Sequence, residues 1–188
     1  MNLLLPFLCL ACTLQSPPEG KADREYDLVI EEQRWTPDTK LRPVRALTVN
    51  GGIPGPTLRL REGEVVRIHV HNRLKKEETS IHWHGLLLPN AQDGVPHVTT
   101  PPIQPGATHT FQFELRHAGT YWYHSHTELQ EQSGVYGSIV VEPRGGVRER
   151  ANRDEVVVLS DWTLERPEEV MRTLMSGNDW YEFKKGSI

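Results

Sequence analysis

Apolar and polar residues alternate with a period of two over much of this chain. Over 65–71, Val66, Ile68 and Val70 point one way, and Arg67, His69 and His71 the other. Over 108–115, His109, Phe111, Phe113 and Leu115 share one face. That repeat belongs to extended strands, whose successive side chains leave opposite faces of a sheet. Further strand-like runs cover 26–33, 44–49, 81–88, 119–126 and 137–142. Between them lie turn formers: Asn50-Gly-Gly-Ile-Pro-Gly-Pro56, Gln104-Pro-Gly106 and Ala118-Gly119. Seven or eight short strands separated by such turns predict an all-β sandwich or barrel over 23–146.

The pattern changes beyond 142. Residues 143–154, rich in Gly and charge, read as a linker. An apolar strand is expected at 156–159, and a short helix at 167–175 with Pro167 in its first turn. Thirty-four residues follow the linker, too few for a core of their own. Residues 147–188 therefore read as a short α/β tail that begins a second, truncated domain. At the other end, 1–22 reads as a signal peptide and linker. Residues 3–14 are apolar, and Gln15-Ser-Pro-Pro-Glu-Gly20 is polar and turn-prone. The competing reading of 3–14 is a first core strand, but Pro6 breaks the run. Cys12 after Leu10-Ala11 suggests a lipoprotein anchor. The expected location is exported, periplasmic or extracytoplasmic.

Charge and apolar length narrow the function classes. A formal net charge of −4 gives no footprint for nucleic acid. No apolar run reaches the ~20 residues of a membrane span, so no integral span is expected. Cysteine narrows them further. Only Cys9 and Cys12 occur, and 13–188 contains no thiol. That region can hold neither a thiolate metal site nor a disulfide framework nor a Cys nucleophile.

Histidine is concentrated where cysteine is missing. All nine lie between His69 and His126, and six of them form three His-x-His triplets where composition predicts fewer than one. In a strand, each triplet presents two imidazoles on one face. If the strands carrying His82-Trp-His84 and His124-Ser-His126 are neighbours, ~4.8 Å apart, four imidazoles converge. Imidazole suits copper, zinc, iron and nickel, and copper(II) tops the divalent affinity order. Gly85 allows close approach, and Trp83, Tyr121, Trp122 and Tyr123 can wall off a site. The third triplet, His69-Val-His71, sits on the polar side of an alternating strand and reads as solvated surface. His97, His109 and His117 are isolated and read as structural or surface residues.

The motifs His82-Trp-His-Gly85, Asp93-Gly-Val-Pro96, Ile103-Gln-Pro-Gly106 and Gly119-Thr-Tyr-Trp-Tyr-His-Ser-His126 occur in this order. Together they resemble the first cupredoxin domain of the multicopper oxidases, the family of laccases, ascorbate oxidase and bacterial copper-resistance oxidases. Gln130-Glu-Gln-Ser-Gly-Val-Tyr-Gly137 and Leu159-Ser-Asp-Trp-Thr163 look most like the copper-resistance branch. The resemblance implies a cupredoxin-like Greek-key β-sandwich and copper as cofactor. It implies that His82 corresponds to a type 2 copper ligand and His84, His124 and His126 to type 3 ligands. Those coppers form the trinuclear cluster at which the family reduces dioxygen to water. Asp93 matches an acid that assists proton delivery, although before Gly94 it also reads as a plain turn residue.

The sequence departs from the family in what it lacks. The family's cluster takes eight histidines, of which four are matched here, and its type 1 copper needs a Cys thiolate that 13–188 does not supply. Met-rich segments are absent, since Met1, Met171 and Met175 are the only methionines. Pro101-Pro102 is a local departure. Three readings follow. The chain is the N-terminal portion of an exported oxidase, with copper ions, dioxygen and a C-terminal oxidase portion as partners. Or it is a non-catalytic single-domain copper-binding protein. Or the same histidines hold zinc.

Overall fold

The computed structural model describes residues 20–146 and 151–177. The expected signal segment through residue 19, with Cys9 and Cys12, lies outside the described residues. Eight strands form two four-stranded sheets. The first runs β2 (Val44–Val49), β1 (Arg24–Trp35), β4 (Val65–Asn72) and β6 (Thr108–Glu114). The second runs β3 (Leu58–Arg61), β8 (Tyr136–Glu142), β7 (Gly119–His124) and β5 (His82–His84). The β1–β4 and β3–β8 pairs are parallel and the others antiparallel. After β2 the chain passes repeatedly between the sheets, giving the expected Greek-key β-sandwich.

Alternation decides which face each strand buries. Val66, Ile68 and Val70 of β4 are fully buried, while His69 and His71 face outward. Leu28 and Ile30 of β1 and Phe111 and Phe113 of β6 join them from the first sheet. Trp83, Tyr123, Ile139 and Val141 meet them from the second. Trp83 lies at the centre, 5.2 Å from Phe111, 5.7 Å from Phe113 and 6.2 Å from Tyr123 between ring centroids.

Three elements differ from the sequence reading. The strand expected over 81–88 shrinks to His82–His84, because Gly85 turns the chain at φ +88°. The short β3 was not anticipated: Leu58-Arg-Leu-Arg61 is too brief for its alternation to stand out beside the turn segment before it. The strand expected at 156–159 does not form. Residues 151–163 carry no regular structure, and Val157 and Leu159 are 77% and 90% exposed. An apolar run becomes a strand only where a neighbour satisfies its backbone groups. This segment instead touches the sandwich through side chains. Asp154 pairs with Arg59 at 3.0 Å, Ser160 bonds Tyr136 at 2.8 Å, and Trp162 meets Trp35 edge-on at 4.7 Å. The expected helix is present as α1 (Pro167–Ser176), with Pro167 at its start and no buried residue. No helix among the described residues is long and apolar enough to cross a membrane.

His109 shows what alternation costs when a polar residue falls on the inner face. Its ring packs edge-on against Phe111 at 4.5 Å, and its Nε2 is buried without a hydrogen-bond partner. Burial pushes its pKa below the ordinary value. A histidine depressed in the folded state favours folding above its unfolded pKa of ~6.5 and loses that contribution as pH falls. His109→Leu should therefore stabilise the fold by about 1 kcal/mol at pH 7.5, where an unpaired buried nitrogen is removed. The gain should widen at pH 5.5. Urea unfolding of both proteins at the two pH values measures this, and a gap that does not change with pH would contradict it.

Candidate metal centre

The register of β5 on β7 builds the site. His82 faces His124 directly, Trp83 faces Tyr123, and His84 faces Trp122. Trp83 and Tyr123 are fully buried, which fixes the inner face. Their neighbours must then point outward, so His82, His84, Trp122 and His124 share the outer face of the second sheet. His126 lies just beyond β7, yet its ring joins the group.

Ring centroids measure the convergence. His82 is 5.5 Å from His84, 5.7 Å from His124 and 4.8 Å from His126. His124 is 5.4 Å from His84 and 4.7 Å from His126. The ligand atoms of His82, His124 and His126 all lie within 4.8 Å of one another. His84 Nδ1 and His124 Nε2 are 3.2 Å apart. Two nitrogens at that spacing suit neighbouring ligands of one ion with bonds of ~2.0–2.1 Å. The donor set is all imidazole, which suits copper.

Surrounding groups fix the rings. His82 Nδ1 donates to the Asp93 backbone carbonyl at 2.8 Å, and since a carbonyl only accepts, the proton sits on Nδ1. In that tautomer His82 keeps its Nε2 lone pair free for a metal, while the carbonyl bond on the other nitrogen sets the ring's orientation. The Asp93 carboxylate is also near, with Oδ1 3.5 Å from the same nitrogen. Gly94 makes that approach possible. At φ +83°, a Cβ there would lie 1.8 Å from the Ile81 carbonyl oxygen. Trp122 stacks on His124 at 3.9 Å with planes 6° apart, and on His84 at 5.0 Å.

Beneath the rings is a polar network that sequence reasoning missed. Ser80 Oγ accepts from the His126 backbone N–H at 2.9 Å and from Thr127 Oγ1 at 3.0 Å. Gln130 Oε1 accepts from Thr79 at 2.7 Å and Ser125 at 3.0 Å, while its amide donates to the Glu78 carbonyl at 2.8 Å. Glu131 brings Oε2 within 2.6 Å of His124 Nδ1, but off the direction of a hydrogen bond, so that buried nitrogen has no bonded partner. No spacing rule marks these residues, because they reach the site through a turn.

Electrostatics favour the neutral form of His124 and His126. Burial, then the neighbouring imidazoles of His126, His82 and His84, push the His124 pKa down to about 4. His126 is lowered by burial and His82, partly opposed by the Asp93 carboxylate. Neutral imidazoles are the metal-binding form. Burial raises the Glu131 carboxyl.

The remaining histidines lie elsewhere. His69 and His71 face outward from the opposite sheet. His97 is exposed and pairs with Glu78 at 2.8 Å. In His117, Nε2 accepts from the Leu87 N–H at 2.9 Å and Nδ1 bonds Tyr121 at 2.5 Å, so both nitrogens are engaged.

The multicopper oxidase family profile matches residues 29–146. Copper resistance protein A of Escherichia coli is 46% identical over 87% of this chain and 27% of its own length. Laccase-2 of Botryotinia fuckeliana is 37% identical over 88% of this chain and 30% of its own. Among solved structures, a mutant laccase from B. aclada superposes with a TM-score of 0.73 at 40% identity, over 82% of this chain and 28% of that one. The chain thus spans about a quarter of the length of such relatives.

Trp122 is the test of the ring scaffold. Trp122→Ala removes the stack from His124 and His84, and should weaken copper binding about tenfold, as losing a group that orients metal-binding rings does. Competition against a chelator measures it, and unchanged affinity would mean the stack does not position the rings.

Proposed function

The chain belongs to the multicopper oxidase family, and from that premise we propose that it supplies half of a trinuclear copper cluster. One observation carries the reading: four imidazoles converge on one face, held by β5, β7 and the turn after β7. His82 holds the type 2 copper; His84, His124 and His126 hold the type 3 pair. Copper bound there supplies the one-electron redox centres at which dioxygen is reduced to water while a substrate is oxidised. His82 and His124 are largely buried whereas His84 and His126 are exposed, which suits a cluster completed from outside this domain. The other four histidines and the type 1 thiolate come from a C-terminal oxidase portion, of which 147–188 begins the second cupredoxin domain. The bacterial relatives are named for copper resistance, which supports that role here. Cuprous ion is the substrate proposed, and residues 1–22 are proposed to act as an export leader.

Asp93 has two separable jobs. Its backbone carbonyl orients His82. Its carboxylate, 28% exposed and 3.5 Å from His82 Nδ1, is placed to hold a proton between solvent and the cluster. Asp93→Asn keeps the carbonyl and removes the charge. It should leave copper uptake within about threefold of the parent, while slowing dioxygen reduction in a completed oxidase about a hundredfold, in the range for a general acid. Equal losses in both would assign Asp93 to structure alone.

The second reading, copper binding without turnover, is favoured by the thiol-free stretch from 13 to 188. A blue site requires a Cys thiolate. These 188 residues, loaded with copper, should show no intense blue absorption and no oxidation of phenols or cuprous ion. His84→Ala or His126→Ala should weaken the first copper at least tenfold more than His69→Ala. Absorption, oxygen uptake and a copper titration check the set. Turnover restored by a separately expressed C-terminal portion supports the half-cluster reading, and a blue, oxygen-consuming monomer would overturn it.

A further inference from the structure

The first sheet carries a second set of metal-type donors. On the outer face of β4, His69 and His71 lie two residues apart, with ring centroids 6.4 Å apart. Each is anchored by its cross-strand partner on β6. His69 pairs with Thr110 and His71 with Thr108, and each Nδ1 is 2.8 Å from that threonine's Oγ1. The same nitrogen is used in both rings, so both present Nε2 away from β6. On the other side, Asp27 of β1 is the register partner of His69. Its Oδ1 lies 2.8 Å from His71 Nε2.

We propose that His69, His71 and Asp27 form a second metal site, selective for copper(II) or a similar borderline divalent cation. The donor set is two imidazoles and one carboxylate, on the face of the sandwich opposite the four-histidine cluster. A nitrogen and an oxygen 2.8 Å apart are spaced as neighbouring ligands of one ion with bonds of ~2.0–2.2 Å. His69 lies on the same face with its ring centroid 6.4 Å from that of His71, so it joins the same ion only by turning its side chain to another rotamer. The threonine hydroxyls act as the outer shell that orients metal-bound imidazoles. Asp27 is also held from behind: its backbone carbonyl accepts from the Asn50 side-chain amide at 2.9 Å. The nearest cation on this face, Arg67, is engaged by Glu25 at 2.5 Å and Gln112 at 2.8 Å. Its charge is thereby largely cancelled, and the site stays open to a cation.

The site is independent of the cluster, and the test separates them. Copper(II) is titrated by equilibrium dialysis into the full chain carrying His84→Ala and His126→Ala, with EPR of the bound ion. One equivalent should depend on the second site. Adding His69→Asn and His71→Asn should weaken it about a hundredfold and remove its imidazole nitrogen couplings from the spectrum. Asp27→Asn should weaken it about tenfold. The same His69→Asn/His71→Asn pair in the otherwise unaltered chain should lower saturation by one copper with near-ultraviolet circular dichroism unchanged, which guards against misfolding of the cluster variant. Copper binding that is indifferent to His69 and His71 in both backgrounds would overturn the proposal.

Discussion

The contact on which the rest depends is that of Trp83 with Tyr123, Phe111 and Phe113. A three-residue strand has little ladder of its own, and β5 pairs with β7 alone. Burial of one large aromatic side chain holds it in place. Removing such a side chain from a core costs about 3–5 kcal/mol, a large share of the stability of a small domain. Because side chains alternate, the same burial turns His82 and His84 outward. The opposite strand repeats the device, with Tyr123 inward between Trp122 and His124. Core packing and ligand presentation are thus one constraint.

That constraint was readable in the sequence because both of its parts have a period of two. The shared outer face of His82, His84 and His124, the inward Val66-Ile68-Val70 face and the outward His69 and His71 followed from alternation. The pairing of β5 with β7 followed from assuming that two His-x-His strands are neighbours. What escaped was not periodic. Strand β3 is four residues long and owes its existence to β8 beside it. Ser80, Gln130 and Glu131 reach the rings through turns, where sequence distance says little about spatial distance. The apolar run at 156–159 met the local rule for a strand but found no ladder to join. Strand formation is decided by the neighbour as much as by the run.

Neutrality is the second condition of the site. Four imidazoles this close cannot all be protonated without strong mutual repulsion, and burial of His124 adds to that penalty. Burial and the neighbouring rings favour the neutral form of His124 and His126, and a backbone carbonyl fixes the proton on His82 Nδ1. A carbonyl does not titrate. The orientation of His82 is therefore insulated from any change in the charge of the Asp93 carboxylate on the same residue.

The division of the four histidines between sheet and turn sets what can vary in evolution. His82, His84 and His124 are spaced by a pleat whose dimensions belong to the backbone and cannot be retuned one residue at a time. An insertion within either strand would exchange inside for outside and destroy core and site together. His126, Asp93 and Glu131 sit on turns, where length and composition can drift. Divergent descendants of this scaffold would then share an invariant chassis of three rings. Their individuality, including proton supply, access and metal preference, would be written in the turns around it.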